Sequence, residues 1–92
     1  MPMTNINHMM KLVKSYLDGD IDRAIFELDF DSALNSRYKK MLKEDRDIAE
    51  WFYECIVDDA INKSFNLSDK DFLGILREEY VRVKDLIDNG VW

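Results

Sequence analysis

Apolar residues recur every three to four positions along almost the whole chain, which is the spacing of amphipathic helices. No stretch shows the alternating apolar and polar pattern that would predict a strand. The periodicity therefore predicts an all-α protein, folded as a compact antiparallel bundle of four helices, or of five if the second helix divides. The stripes that support this prediction include Ile6, Met10, Val13 and Leu17, then Ile48, Trp51, Phe52, Cys55 and Ile56, and finally Phe72, Leu76, Tyr80 and Val83.

Capping residues and glycines mark the predicted helix ends. Thr4 or Asn5 caps the first helix, because a side-chain oxygen accepts a hydrogen bond from a free first-turn N–H. Gly19 ends this helix, since glycine suits the left-handed C′ position. Asp20 caps the second helix, and Ser68 starts the fourth with the spacing of a capping box. The predicted spans are residues 4–17, 20–43, 45–63 or 47–63, and 68–88, with Asp45 or Asp47 starting the third helix.

The second helix carries two apolar stripes that are rotated relative to each other. Either this helix is buried on two sides, or the chain changes direction between the stripes. We predict a break or bend at Asp29–Asp31, because aspartate is a good cap and a poor helix former. The first stripe is Ile21, Ala24, Ile25 and Leu28, and the second is Phe26, Phe30 and Ala33.

The length and charge of the chain limit its function. Ninety-two residues suit one helical domain, 1–92, in which we expect residues 1–4 to be frayed. The formal net charge is −6 and the isoelectric point about 4.6, which argues against nucleic-acid phosphates and anionic membranes as partners. The same charge favours electrostatic steering toward a cationic protein.

Cellular location is predicted from the cysteine count and from segments the sequence does not contain. Cys55 is the only cysteine, so it forms no internal disulfide. We find no signal peptide and no apolar stretch approaching the roughly 18 residues that span a bilayer. These features predict a cytoplasmic protein in a reducing environment.

A stripe of carboxylates follows the predicted third helix. At about 100° per residue its members lie on one side of that helix, opposite the apolar face. No lysine or arginine lies between them, and aromatic and aliphatic side chains lie beside them, a composition typical of a protein interface. A solvated face without a partner is the alternative interpretation. The candidate partner-binding residues are Asp47, Glu50, Tyr53, Glu54, Val57 and Asp58.

The sequence predicts no catalytic, metal or cofactor site. Asp18, Asp20 and Asp22 resemble the start of a calcium loop, but the sixth position of that loop needs glycine and is Arg23 here. Helix capping explains these aspartates better. The single histidine, His8, lacks the Glu-x-x-His arrangement of di-metal bundles. We therefore expect a protein that is not an enzyme and needs no metal ion.

Two carboxylates, Asp59 and Glu79, fall on otherwise apolar stripes. Each is expected to find a charged or hydrogen-bonding partner, because a buried carboxylate without one is costly, and Glu79 is expected near a helix edge. For Asp59 the candidate cations are Arg77 and Lys63. Cys55 is expected to be a buried, unreactive thiol.

A family resemblance begins in the first half of the chain. Residues 16–21 read Tyr-Leu-Asp-Gly-Asp-Ile and precede Phe26, giving the pattern Tyr-Leu-x-Gly-x-Ile-x4-Phe. This pattern resembles the opening of small bacterial immunity proteins of the colicin D immunity type. Residues 68–72, Ser-Asp-Lys-Asp-Phe, lead into a last amphipathic helix in a similar layout. The resemblance covers about residues 11–87, although residues 30–47 depart from the pattern.

The resemblance implies a function. In that family a small helical bundle binds a basic nuclease toxin domain and blocks its active site, with carboxylates standing in for RNA phosphates. By this resemblance the partner is a cognate toxin, whose identity and substrate stay open, as does the oligomeric state. The alternative is a non-catalytic adaptor or regulatory protein that binds another cytosolic protein or self-associates. Its exposed contact residues would be Tyr53, Val57, Ile61 and Trp92.

Overall fold

A computed structural model describes residues 3–89. Within these residues the chain forms four α-helices and no strand, which confirms the predicted all-α class. A π-helical stretch, Tyr53–Asp58, and a 3-10 turn, Ile61–Lys63, follow the third helix. The α-helices are α1, Thr4–Leu17, α2, Arg23–Glu44, α3, Arg46–Phe52, and α4, Asp69–Asn89.

The contacts group the chain into two compact units, Met1–Ala49 and Glu50–Trp92. The boundary falls inside α3, and each unit is described by itself. Fraying of residues 1 and 2, the stop signal at Gly90 and a contact role for Trp92 are predictions that lie outside the described residues.

In the first unit, α1 and α2 form an antiparallel hairpin. At the loop end, the rings of Tyr16 and Phe26 stack with centroids 4.9 Å apart. At the open end, the last residue of α2, Glu44, bonds to Asn5 in the first turn of α1. Between these ends the buried residues of α1 follow helical spacing and are Ile6, Met9, Met10, Val13, Tyr16 and Leu17.

The turn between α1 and α2 is a Schellman motif. The N–H of Gly19 donates to the Tyr16 carbonyl, and the N–H of Asp20 donates to the Ser15 carbonyl, at 3.1 and 2.9 Å. Gly19 has a φ of +83°, a conformation that residues with a Cβ rarely adopt. The predicted helix end is therefore confirmed. Asp22 rather than Asp20 caps α2, accepting from the Ile25 N–H at 2.9 Å.

The N-terminus of α1 is capped by a residue from the other helix. The two carboxylate oxygens of Glu44 accept hydrogen bonds from the Asn5 N–H at 3.0 and 2.8 Å and from the Ile6 N–H at 2.9 Å. Met3 holds the N-cap position and makes no side-chain cap bond. The prediction of Thr4 or Asn5 as the cap is therefore wrong. A full carboxylate charge also complements the positive end of the helix dipole.

Helix α2 is continuous from Arg23 to Glu44, so the predicted break at Asp29–Asp31 is wrong. Both aspartates are exposed, and their hydrated carboxylates do not displace the backbone hydrogen bonds of the helix. The two apolar stripes differ in burial. The stripe that contains Phe26 and Phe30 is buried, and the stripe that contains Ile25 and Leu28 faces solvent. The buried residues of α2 are Phe26, Phe30, Leu34 and Met41.

In the second unit, α4 follows its predicted pattern closely. The Ser68 hydroxyl accepts a hydrogen bond from the Asp71 N–H at 3.2 Å, as the capping-box spacing predicts. The helix continues to Asn89, one residue beyond the predicted end. Tyr80, which lies on the apolar stripe, is only half-buried. The buried residues of α4 are Phe72, Leu76, Glu79, Val83 and Leu86.

Candidate functional site

The candidate site begins where the helical hydrogen-bond pattern changes. Asp45 caps α3 by accepting from the Ile48 N–H at 3.0 Å, so of the two predicted starts, Asp45 and Asp47, the first is the cap. From Tyr53 the chain is π-helical, and this stretch closes with the N–H of Asp59 donating to the Glu54 carbonyl at 3.0 Å. The predicted single helix over residues 45–63 is therefore interrupted.

The π-helical stretch places Val57 differently from the sequence prediction. In a π-helix the hydrogen bonds join residues five apart, so residues five apart approach the same face. Phe52 is fully buried, and Val57, five positions later, is only 8% exposed. The expectation that Val57 is an exposed side chain is therefore wrong. Tyr53 and Ile61 are half-buried and still offer apolar surface.

The four carboxylates Asp47, Glu50, Glu54 and Asp58, here called the acidic stripe, all reach solvent. Glu50, Glu54 and Asp58 are exposed in the second unit, and Asp47 is exposed in the first unit. Asp58 accepts a hydrogen bond from the side-chain amide of Asn62 at 3.3 Å. Within residues 3–89, neither Glu54 nor Asp58 forms an ion pair.

Three other exposed carboxylates, those of Asp18, Glu27 and Asp88, are neutralised by a base four residues away. Asp18 pairs with a lysine four residues earlier at 2.7 Å, and Glu27 pairs with an arginine four residues earlier at 3.1 Å. Asp88 pairs with a lysine in the same spacing at 3.1 Å. Glu54 and Asp58 therefore leave more uncompensated negative charge at the surface than these pairs do.

A partly exposed ionic cluster, in which only Glu79 is buried, lies elsewhere in the second unit. The Glu79 side chain is 11% exposed and binds Arg82 with an N–O distance of 2.6 Å. The same guanidinium lies 3.5 Å from Asp59, which also pairs with Lys63 at 3.6 Å. The prediction of Lys63 is confirmed, but the arginine is Arg82 and not Arg77. The i,i+3 spacing of Glu79 and Arg82 was the sequence signal for this pair.

Trp51 holds the arginine of this cluster in place. The guanidinium of Arg82 lies over the indole ring, 4.8 Å from its centroid, which is the geometry of a cation–π contact. The indole N–H donates to the Arg82 carbonyl at 3.4 Å. Trp51 itself is half-buried.

The Cys55 thiol is buried beside the cluster and is protonated at neutral pH. Its side chain has no exposed surface. The pKa of Cys55 is raised to about 12: desolvation by burial is the largest cause, the charge of Arg82 opposes it, and the charges of Glu79 and Asp59 add to it. The thiolate is the form that acts as a nucleophile or binds a metal ion, and at neutral pH this thiol stays protonated.

The described residues contain no set of metal ligands. No group of three or more His, Cys, Asp and Glu side chains within residues 3–89 could hold a metal ion. Asp18, Asp20 and Asp22, which resemble a calcium loop in sequence, form a helix-ending turn and a helix cap. His8 is exposed.

Two further findings concern membrane-spanning segments and similarity to known proteins. No helix within residues 3–89 combines the length and the apolar character that crossing a membrane requires. No protein-family model matches the chain, and no curated protein or solved structure matches it either.

Proposed function

We propose that this chain is a stoichiometric inhibitor of the immunity-protein type, which binds a basic nuclease toxin domain through its acidic stripe. The observation that carries the proposal is the exposure of Glu54 and Asp58 without an ion-pair partner within residues 3–89. Uncompensated carboxylates attract a basic protein surface over several ångströms at physiological ionic strength. The resemblance of residues 16–26 to colicin D immunity proteins supplies the class of partner.

Binding in this proposal needs no chemical step. The carboxylates steer the toxin domain into an encounter and then occupy positions that RNA phosphates would take in its active site. Half-exposed Tyr53 and Ile61 lie in the same stretch and supply apolar contact area. Val57 is buried, so it packs inside the protein and does not contact the toxin.

The test is a matched pair of charge-reversal variants. Each triple reversal raises the net charge by the same amount, so a difference between the variants reports position and not total charge. All six carboxylates are exposed, and circular dichroism must show wild-type helical content in both variants. The test variant carries Glu50→Lys, Glu54→Lys and Asp58→Lys, and the control on α4 carries Glu78→Lys, Asp85→Lys and Asp88→Lys.

The toxin is first identified by affinity capture from the native strain, and association is then measured by surface plasmon resonance. We expect the test variant to associate at least about tenfold more slowly and the control to stay close to wild type. Wild-type association should slow as salt is raised. Equal rates for a folded test variant and wild type would refute the proposed stripe. Capture of only non-toxic cytosolic proteins would favour the adaptor function instead.

A further inference from the structure

The outward face of α2 exposes apolar side chains that the sequence predicts to be buried. Leu28 is 74% exposed and Ile25 is 46% exposed. At about 100° per residue this face is opposite the buried positions Phe26 and Phe30. Large apolar side chains grouped on one helix face are typical of a protein-binding surface.

Further side chains on this face follow one another along α2 from Leu28 to Leu42. Leu28, Asp31, Ser32 and Asn35 line a shallow open groove on α2 together with Ala24 and Glu27. Further along, Lys39 is exposed and Leu42 is half-buried on the same side of the helix. The series therefore runs from leucine through an acid, small polar residues and a base to a second leucine.

The series is self-complementary about Asn35. Leu28 and Leu42 lie seven positions on either side of Asn35, and Asp31 and Lys39 lie four positions on either side. If a second identical helix runs antiparallel across the first, Leu28 meets Leu42 of the second copy. Asp31 then meets Lys39 of the second copy, and each contact occurs twice by symmetry.

We propose that this chain forms an antiparallel homodimer through the outward face of α2, with Asn35 at the two-fold axis. Charge complementarity selects the second copy as the occupant. Asp31 and Lys39 are both exposed and form no ion pair within residues 3–89. Ser32 and Asn35 are small enough to let the two helices approach closely at the crossing. The proposal does not depend on the toxin proposal, whose stripe begins on α3.

Charge swapping tests the pairing directly. Asp31→Lys alone places like charges opposite each other at both symmetric contacts, and so does Lys39→Asp alone. The double variant, Asp31→Lys with Lys39→Asp, restores opposite charges. A mixture of the two single variants restores them as well, but only in a heterodimer. Sedimentation velocity over a concentration series measures the dimer, with circular dichroism as the control for folding.

We expect the wild type to approach twice the mass of one chain as its concentration rises. Each single variant should raise the dimer dissociation constant by at least about tenfold, because like-charge contacts oppose association. The double variant and the mixture should recover dimers. A wild type that stays monomeric up to about millimolar concentration, at the weak end of specific association, would overturn the proposal. So would dimers that the single variants leave unchanged, since those would use another surface.

Discussion

The two units are both helical, but they follow different local rules. In the first unit, the buried side chains of α1 and α2 keep to α-helical spacing, and the long-range polar contact lies at the helix ends, between Glu44 and Asn5. In the second unit, the spacing changes at Tyr53, and an ion pair between Glu79 and Arg82 lies on the otherwise apolar side of α4. The described departures from α-helical bonding, Tyr53–Asp58 and Ile61–Lys63, therefore both lie in the second unit, beside the regular helix α4.

The difference shows what a hydrophobic period can predict. A stripe at α-helical spacing identifies the buried face only while each N–H bonds to the carbonyl four residues before it. After the change to π-helical bonding, residues five apart share a face, and Val57 moves to the side of Phe52. A single change in hydrogen bonding thus alters which side chains a partner can reach.

The largest expected effect tests whether the face that contains Phe52 stabilises the protein. Phe52→Ala removes a fully buried ring, and we expect a loss of about 3–5 kcal/mol in the free energy of unfolding. Phe65→Ala is the matched control, because that ring is 91% exposed and its removal should change the free energy by less than about 0.5 kcal/mol. Urea denaturation followed by circular dichroism measures both. Equal midpoints for the two variants would contradict the assigned buried face.

A smaller effect is expected where Glu44 caps α1. Desolvation by burial raises the pKa of Glu44, but the Asn5 and Ile6 N–H groups, the Asn5 side chain and the charge of Arg37 together lower it below its ordinary value. A depressed folded-state pKa means that the ionised cap stabilises the fold above the unfolded-state pKa, about 4.3. This contribution is lost as the pH falls through the folded-state pKa.

Glu44→Gln isolates this dependence, because glutamine keeps the shape but does not titrate. At pH 7 we expect the variant to be about 1–2 kcal/mol less stable than wild type, since it loses a charged acceptor. The difference should shrink as the pH falls below about 4.3. Urea midpoints from pH 7 to pH 3 measure it. A difference that is constant over this range would mean that the charge of Glu44 does not stabilise α1.

Local signals in the sequence predicted much of the fold. The bounds of α1, the end at Gly19 and the capping role of Ser68 all depend on residues within a few positions of one another. The cap from Glu44 was missed because its partner Asn5 lies 39 positions away. The continuity of α2 was missed because Asp29–Asp31 has low helix propensity, which the burial of the stripe on the opposite face overrides.

The candidate site was predictable to a similar degree. Exposure of the charged side chains Glu54 and Asp58 follows from the cost of burying an unpaired charge. The burial of Val57 did not follow, because residue spacing alone does not reveal a change from α-helical to π-helical bonding. The sequence analysis did not predict Arg82 as the partner of Glu79, although opposite charges three positions apart on one helix are neighbours.

Effects no larger than that of Glu44→Gln come from one substitution made in both units. A Cβ added at Gly19 or at Gly74 would meet no atom within 4 Å, so neither variant creates a clash. Gly19 has a φ of +83°, and Gly19→Ala should cost about 1–2 kcal/mol in backbone strain. Gly74 lies inside α4, and Gly74→Ala should stabilise by about 0.5–1 kcal/mol, because alanine loses less backbone entropy on folding.

Thermal unfolding of the two alanine variants and of wild type measures these shifts in parallel. The same added methyl group should lower the melting temperature in the turn of the first unit and raise it in the helix of the second. Since neither position is crowded, backbone conformation alone sets the sign of each shift. If both variants shifted the melting temperature in the same direction, either the left-handed conformation assigned to Gly19 or the helical conformation assigned to Gly74 would be wrong.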